Sequence, residues 1–319
     1  MKKIKFININ DINVSNIFIV LFIILLLIFV SGQEGCETSR SSEKQQAEKA
    51  GIDFNLITGV DYLSSGKILE QGENFYVGVH LENYDSKAKS GEICIYDDVS
   101  DEYGGIISDG ECKPFVINAA TIIKKETTEL ASKKIVEEII PGKADVYFPE
   151  EGLYKYYGLP SQKTPWQMTL FVSVRYRENS RITGSVKVPD PGYEQLSLLQ
   201  EPAPLFVSAT KSIHKQQDSY KVNLDVSLIK KAPFKIFSPD FKQENVTAFY
   251  LKLEPQPTQC FLTTGEPIKE KVFIENERLI KCSSLVHMAG ELQRTLPLII
   301  ALDYGVAIEK SYSFGIKTM

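Results

Sequence analysis

Histidine and tryptophan are scarce in this chain, which contains three histidines and one tryptophan among 319 residues. His80, His214 and His287 lie far apart, and no Cys-x-x-Cys pair accompanies them. Structural zinc is held by closely spaced cysteine and histidine ligands, so no metal site is predicted. Gly-x-Ser-x-Gly elbows, Gly-rich phosphate loops and His-Glu-x-x-His motifs are missing as well. The sequence therefore predicts a protein that is not an enzyme and has no catalytic residue or cofactor.

A strongly basic balance is also missing, because the formal net charge is -5. Binding to nucleic acid depends on cationic side chains that release counterions from the phosphate backbone, so no nucleic-acid partner is predicted. The chain is 43% hydrophobic and 24% charged, which is typical of a globular protein. Its length suffices for two domains, each with its own core.

The longest apolar run is short, with fourteen residues at 17–30, whereas about 20 residues comfortably span a bilayer. Lys2, Lys3 and Lys5 precede this run, and Glu34 and Glu37 follow it. That charge asymmetry predicts a cytoplasmic N-terminus and places the remainder across the membrane. Residues 1–32 are thus predicted to be a signal sequence or a signal-anchor helix that attaches the chain to the cell membrane.

The stretch "FVSGQEGCETS" at 29–39 leaves three kinds of processing open. Val30, Ser31 and Gly32 suit a signal peptidase that cuts before Gln33. Alternatively, the helix is retained as an anchor. Lipidation of Cys36 is the third possibility, but Gln33 and Glu34 occupy positions that should be small and apolar. In each case the domains are predicted to be extracytoplasmic, beyond a polar tether at 33–50.

The other four cysteines form two local pairs in the sequence: Cys94 with Cys112, and Cys260 with Cys282. An exported chain with this spacing is expected to form two disulfides. Zinc binding and free thiols are the alternatives. Cys36 is then the unpaired cysteine, available for lipidation or for pairing between molecules.

Apolar and polar residues alternate with a period of two in most of the chain after residue 50. The pattern is clear in "FYVGVHLEN", "WQMTLFVSVRY" and "YKVNLDVSL", and it predicts half-buried antiparallel strands. The segment "ELASKKIVEEII" at 129–140 is compatible with either a helix or a strand. The fold class predicted is all-β.

An internal repeat indicates how the strands are grouped. Residues 168–188 align without a gap with 296–316, so that Leu170 matches Leu298 and Tyr176 matches Tyr304. Each segment is interpreted as a hairpin of strand, turn and returning strand. We predict two tandem β-sandwich modules at 51–190 and 204–319. The proline-rich stretch at 191–203 is the predicted junction between them.

A resemblance to known proteins is carried by "GIDFNLITG", "FYVGVHLENYDSKAKSGEICIYD", "CKP" at Cys112 and "PLIIALDYGVAIEKSYSFGI". With these strand signatures the chain resembles uncharacterised membrane-anchored archaeal surface proteins with tandem immunoglobulin-like or CARDB-like modules. The resemblance implies a fold and a place in the cell envelope. Its motifs contain no catalytic residues, and function inferred from fold alone is analogy.

Two segments are candidates for binding. The acidic loop "YDDVSDEYGGIISDGEC", which includes Asp97, is either a calcium site or a solvated hairpin loop closed by the Cys94–Cys112 bridge. The region 146–166 is rich in aromatic residues that either bind a sugar or protein partner or pack on a sheet edge. Its members are Tyr147, Phe148, Tyr154, Tyr156, Tyr157 and Trp166.

Asn245 begins the sequon "NVT" and is a candidate for glycosylation if the chain is exported.

Three classes of function remain open. The first is a non-enzymatic envelope protein that binds a surface polymer or another protein, and the second is a structural subunit of a larger surface assembly. The third is an enzyme with an unrecognised site.

Overall fold

The structure is a computed structural model that describes residues 51–106, 109–129, 132–190, 192–288 and 292–318. The predicted N-terminal segment at 1–32, the tether and Cys36 lie outside these ranges. Within them, no helix combines the length and apolar character needed to cross a membrane. The described residues form one compact unit.

This part of the chain is almost entirely β-structure, with one short 3-10 turn at Asp101–Tyr103. Its twenty strands are β1 (Ile52–Leu56), β2 (Ile68–Glu70), β3 (Asn74–Phe75), β4 (Val77–Asn83), β5 (Lys89–Asp97), β6 (Glu111–Ile117), β7 (Thr121–Glu129), β8 (Ser132–Ile140), β9 (Gly142–Phe148), β10 (Tyr154–Lys155), β11 (Trp166–Val188), β12 (Tyr193–Gln195), β13 (Leu205–Gln216), β14 (Ser219–Lys230), β15 (Lys235–Phe237), β16 (Val246–Leu253), β17 (Thr258–Leu262), β18 (Lys271–Phe273), β19 (Glu277–His287) and β20 (Arg294–Lys317). The all-β fold class is confirmed.

The largest sheet, called the long sheet here, has eight strands. Its main path runs β18-β16-β20-β11-β5-β6, and β15 and β2 also pair with β20. All of these pairings are antiparallel except that of β2 with β20. Two smaller antiparallel sheets have the orders β1-β4-β9 and β12-β13-β14-β19-β17.

The predicted period of two sets which side chains enter the core. Along β11, Met168, Leu170, Val172, Val174 and Tyr176 are all buried. Since β20 pairs with β11 so that even-numbered residues face one another, its residues Leu298, Ile300 and Leu302 are buried on the same face. The buried side chains of the long sheet and of both smaller sheets form a single hydrophobic cluster.

The two repeat segments are single long strands, and the prediction that each is a hairpin was wrong. β11 and β20 pair with each other in antiparallel register along their whole length, from Trp166↔Ile316 to Val188↔Arg294. Neither segment turns back to pair with itself, because the other segment is its hydrogen-bonded neighbour. Alternation without a break through the expected turn is what a continuous strand requires.

The repeat also gives the long sheet an approximate two-fold symmetry about the pair Arg177↔Gly305. Leu170 pairs with Tyr312, and its repeat counterpart Leu298 pairs with Gly184 at the same distance from the centre. The strands alongside obey the same relation, since β5 ends opposite Leu170 and β16 ends opposite Leu298. The similarity between the two halves of the sequence is therefore expressed in the strand pairing.

The segment 129–140, open between helix and strand in the sequence, contains the strand β8. It forms a two-stranded sheet with β7, from Thr121↔Ile140 to Glu129↔Ser132. In the described residues, this hairpin pairs with no other strand. It leaves one backbone edge of each strand without a strand partner.

The predicted junction is folded against its surroundings. Leu199 and Thr183 exchange two backbone hydrogen bonds of 2.8 and 3.0 Å. Leu196 and Ala203 are buried. The pairing of β11 with β20 likewise crosses the predicted module boundary. The assignment of modules to 51–190 and 204–319 stays a prediction.

Candidate functional site

Both predicted disulfides are present, and each joins directly opposed residues of neighbouring strands. Cys94 pairs with Cys112 between β5 and β6, and Cys260 with Cys282 between β17 and β19. Glu92 lies close to the first bridge and offers a carboxylate oxygen there. Because both sulfurs are bonded to each other, they are not available as thiolate ligands for a metal.

The acidic loop is organised by the buried carboxylate of Asp97. Its Oδ1 accepts a hydrogen bond from the backbone N–H of Val99 at 2.9 Å, and its Oδ2 accepts from the N–H of Ile106 at 3.1 Å. The hydroxyl of Tyr156 donates to Oδ2 at 2.6 Å. Burial raises the pKa of Asp97, while these hydrogen bonds oppose the shift. Both oxygens of the Asp97 carboxylate are thus occupied by hydrogen bonds from protein donors. This favours the interpretation as a hairpin loop over calcium binding.

Three of the six candidate aromatic residues belong to the core. Phe148, Tyr154 and Tyr156 are 0%, 9% and 1% exposed. Phe75 connects two of them, since its ring is stacked on Tyr156 at 5.2 Å between centroids and lies 5.5 Å from Tyr154. Their rings are enclosed by neighbouring side chains, so their faces are not open to a ligand and their role is packing.

The other three candidates reach the surface at different places. Trp166 is half-buried, and its indole Nε1 donates to the carbonyl of Pro160 at 3.0 Å. Tyr157 is 55% exposed and follows β10, where its backbone N–H donates to the carbonyl of Tyr103. Tyr147 is 45% exposed on the outer face of β9. Of the six, Tyr147 is the residue that belongs to a larger aromatic group at the surface.

That group, called the tyrosine platform here, consists of Tyr62, Tyr76 and Tyr147. The ring of Tyr62 lies 6.1 Å from each of the other two rings, with interplanar angles of 42° and 45°. Gly78 in β4 leaves room for it, because a Cβ at this position would lie only 3.1 Å from Cε1 of Tyr62. The three rings therefore form a connected aromatic surface on the outer face of the sheet β1-β4-β9.

Polar groups continue the same face beyond the platform. His80 Nδ1 lies 2.6 Å from Asp145 Oδ1, and Glu82 accepts a hydrogen bond of 2.6 Å from the hydroxyl of Tyr84. Lys143 Nζ is 3.7 Å from the Glu82 carboxylate. Partial desolvation and the charge of Asp145 raise the pKa of Tyr147, so its phenol stays neutral and can donate or accept a hydrogen bond.

Sequence reasoning missed Tyr62 and Tyr76, although a signal for Tyr76 existed. Tyr76, Gly78 and His80 occupy alternate positions of the segment "FYVGVHLEN" and are therefore expected on the same, outer face of the strand. The strand register then places Gly78 directly opposite Tyr147. Tyr62 has no such signal, because it lies in a loop and contacts Tyr76 through an isolated bridge.

A second surface feature is a groove of about 670 Å³ on the outer face of the long sheet. Tyr250, which is 56% exposed, lies beside Ile299 and Ala301 in this groove. Several charged groups at its rim are already paired. Lys252 Nζ lies 3.0 Å from Glu254, and Asp303 is bound by Arg177 through two hydrogen bonds.

Asn245 is half-buried in a left-handed conformation with φ 58°, and its Oδ1 accepts a hydrogen bond from Lys230 at 3.0 Å. Thr247, the third residue of the sequon, is 0% exposed. Its hydroxyl donates to the backbone carbonyl of Ala248 at 3.0 Å. The folded chain therefore does not present the sequon, and glycosylation of Asn245 would have to precede folding.

No protein-family model matches this chain, and no curated protein is significantly similar to it.

Proposed function

We propose that this chain is a non-enzymatic envelope protein whose folded part is extracytoplasmic and binds a hydroxyl-rich surface polymer through the tyrosine platform. The predicted N-terminal segment would deliver or anchor it at the cell membrane. The two disulfides support this location, because disulfides persist in oxidising compartments. The two halves related by the repeat would be two immunoglobulin-like modules fused through β11 and β20.

The tyrosine platform is the observation that carries the proposal. Tyrosine rings offer a rigid apolar surface that costs little side-chain entropy on binding, and sugars can stack on it. The neighbouring carboxylates of Asp145 and Glu82 have further lone pairs that can accept hydrogen bonds from hydroxyl groups. The Tyr147 phenol is hydrogen-bonded to Asp145, and its oxygen can accept another hydrogen bond. An apolar surface bordered by a few polar groups is the usual composition of a ligand site.

The platform can be tested by affinity electrophoresis of the full chain, solubilised in detergent, through gels that contain a panel of neutral and acidic polysaccharides. We expect at least one polysaccharide to retard the protein. Tyr147→Ser should weaken that interaction about tenfold, which corresponds to about 1.4 kcal/mol. Such a loss is typical of an aromatic residue at the centre of a binding surface.

Tyr250→Ser is the matched control, because Tyr250 is a similarly exposed tyrosine located in the groove instead of the platform. Its mobility should equal that of the unmodified chain. If Tyr250→Ser abolishes retardation while Tyr147→Ser does not, the groove is the binding surface. If no polysaccharide retards the unmodified chain, the proposed ligand class is wrong.

A second candidate function is that of a structural subunit in a surface assembly, and the β7–β8 hairpin favours it. An open strand edge can accept a strand from a partner through backbone hydrogen bonds. Crosslinking in native membranes followed by affinity purification tests this role. A partner of fixed stoichiometry that is lost on deletion of 121–140 would support it, whereas an unchanged set of crosslinks would exclude the hairpin.

A further inference from the structure

A lysine and two carboxylates are enclosed together between the strands of the core. Lys89 is 7% exposed and Glu178 is 5% exposed, and the side chain of Asp85 is 9% exposed. Lys89 Nζ donates a short hydrogen bond to Glu178 Oε2 and lies 3.0 Å from Asp85 Oδ2. Its other neighbour is the ring of Tyr176, with the centroid 5.8 Å away. We call Lys89, Glu178 and Asp85 the buried triad.

The strand register brings the first two members together although they are 89 residues apart. The ladder between β5 and β11 ends at the pair Gly91↔Tyr176. Lys89 and Glu178 lie two residues further along these strands and face the same side as Tyr176, into the core. Asp85 precedes β5 and is held in place by the backbone N–H of Gly51, which donates to its Oδ1 at 2.9 Å.

Buried charges destabilise a folded protein, and the buried triad contains two acidic groups and one basic group. One ammonium cannot neutralise two carboxylates, and a buried unpaired charge costs several kcal/mol. Burial raises the pKa of Glu178, although the Lys89 ammonium opposes the shift. Burial lowers the pKa of Lys89, but the Glu178 and Asp85 carboxylates outweigh it and raise the pKa overall. When Glu178 takes up a proton, the triad becomes neutral overall, and a carboxylic acid then lies in contact with the Lys89 ammonium.

We propose that Lys89 and Glu178 condense to an intramolecular isopeptide bond that cross-links β5 to β11, with Asp85 as the proton acceptor. The Lys89 ammonium first gives one proton to the Asp85 carboxylate. The lone pair of the neutral Nζ then attacks Cδ of the protonated Glu178 carboxyl, and the Nζ–Cδ bond forms. The Cδ–O bond to the hydroxyl breaks, and this hydroxyl leaves with a second proton from Nζ as water.

No oxidant, reductant or cofactor is needed, since the reaction joins an acid and an amine and releases one water. Proton transfer from Lys89 to Asp85 leaves three uncharged groups, so the reaction creates no unpaired charge at this depth. Only a small fraction of Lys89 has to be neutral, because reacting groups held in contact have effective molarities of about 10⁵ M or more. The product replaces a buried ion pair with a neutral amide.

The surroundings can also accommodate the released water. A small cavity of about 20 Å³ adjoins the triad and is lined by all three of its members together with Gln200, Glu201 and Leu205. One water molecule requires about 10–15 Å³ of such space. Polar side chains in the lining provide hydrogen-bond partners for it.

Tryptic peptide mapping of the reduced and alkylated full chain tests the proposal directly. Free Lys89 and Glu178 would give separate peptides 90–124 and 178–181, since Arg177 and Arg181 flank the latter. An isopeptide bond blocks cleavage after Lys89 and joins 88–124 to 178–181. We expect this joined species, lighter by one water than the sum of its two peptides, as the main form in the purified protein.

Two other results would overturn the proposal. Recovery of 90–124 and 178–181 as separate peptides would show that the triad is only an ion-pair cluster. Peptide 68–87 joined to 88–124 through the Lys89 side chain would show that Asp85 is the acyl donor instead of Glu178; fragment ions distinguish it from the uncleaved peptide 68–124, which has the same mass. The exposed pair Lys235 and Glu309, also in short contact, is the internal control and should give unlinked peptides in the same digest.

The role of Asp85 is tested with Asp85→Asn. An asparagine amide oxygen can still accept the hydrogen bond from Gly51, so we expect the variant to fold, with an unchanged circular dichroism spectrum. It cannot take the proton, so the linked species should fall at least tenfold. Linkage at the level of the unmodified chain would exclude Asp85 as the proton acceptor, and Lys89→Gln should abolish the linked species altogether.

Discussion

The hydrogen bond between Tyr156 and Asp97 allows a quantitative prediction about stability. Tyr156→Phe removes one hydroxyl and keeps the ring, which is stacked on Phe75 at 5.2 Å and lies 5.9 Å from Phe314. No cavity of consequence is created, because the aromatic contacts remain. The backbone donors of Val99 and Ile106 also remain, so Asp97 loses one of three hydrogen bonds.

The expected cost follows from the charge of the acceptor. A hydrogen bond to an ionised group contributes about 1.5–3 kcal/mol to stability, more than a bond between neutral groups. The other two donors still partly solvate the carboxylate, so we expect the loss to lie near the lower end, at about 2 kcal/mol. Because Tyr156 and Asp97 hold the acidic loop against the core, the change acts on the folded state.

Urea unfolding of the purified chain at pH 8 measures this loss, with the free energy obtained from the midpoint and slope of the transition. Tyr157→Phe is the control, since Tyr157 is the neighbouring tyrosine on the exposed side and should change stability by less than about 0.5 kcal/mol. If Tyr156→Phe also stays within that margin, the buried hydrogen bond does not hold the loop and the reasoning fails.

Three further predictions concern other parts of the molecule. Gly91→Ala should destabilise the fold by about 3 kcal/mol, since its Cβ would lie 2.0 Å from the carbonyl oxygen of Arg175 in the paired strand; Ser90→Ala in the same strand should unfold like the unmodified chain. Replacing Cys260 and Cys282 together by serine should lower the free energy of unfolding by about 3 kcal/mol, as expected for a loop of this length, and a midpoint unchanged by the substitution or by reductant would contradict this. Burial raises the pKa of Asp97 above its ordinary value of 3.8, so its contribution to stability is full below that pH and is lost as the pH rises through the folded-state pKa. Asp97→Asn should remove this part of the pH dependence, and identical pH profiles of the two proteins in urea unfolding would refute the assignment.

The strands of the most regular segments could be predicted from the sequence, because alternation is a local property of the chain. The segments "FYVGVHLEN", "WQMTLFVSVRY" and "YKVNLDVSL" all contain strands at the expected places. The cysteine pairs could also be predicted, because the two members of each pair lie close together in the sequence. The repeat was detectable for the same reason, being a direct comparison of residues.

The partner of each strand could not be predicted, because pairing joins residues far apart in the chain. Residues 168–188 look like a hairpin only as long as their partner is unknown. In the structure the partner is the repeat copy, so both segments stay extended. Which aromatic residues are exposed also depends on which face of a strand is covered. Tyr147 and Phe148 are adjacent in sequence, yet they point to opposite faces of β9, and only Phe148 is buried.

The sequence by itself therefore determined the all-β character, the cysteine pairing and the similarity of the two repeat segments. The first two follow from local patterns in the chain, and the third follows from comparing the residues of 168–188 with those of 296–316. Only the tertiary structure decided which residues meet. It placed Tyr62 against Tyr147 and enclosed Lys89 with Glu178, which nothing in their separate surroundings indicates. Both juxtapositions arise from strand register, which depends on how distant segments bury their apolar faces together.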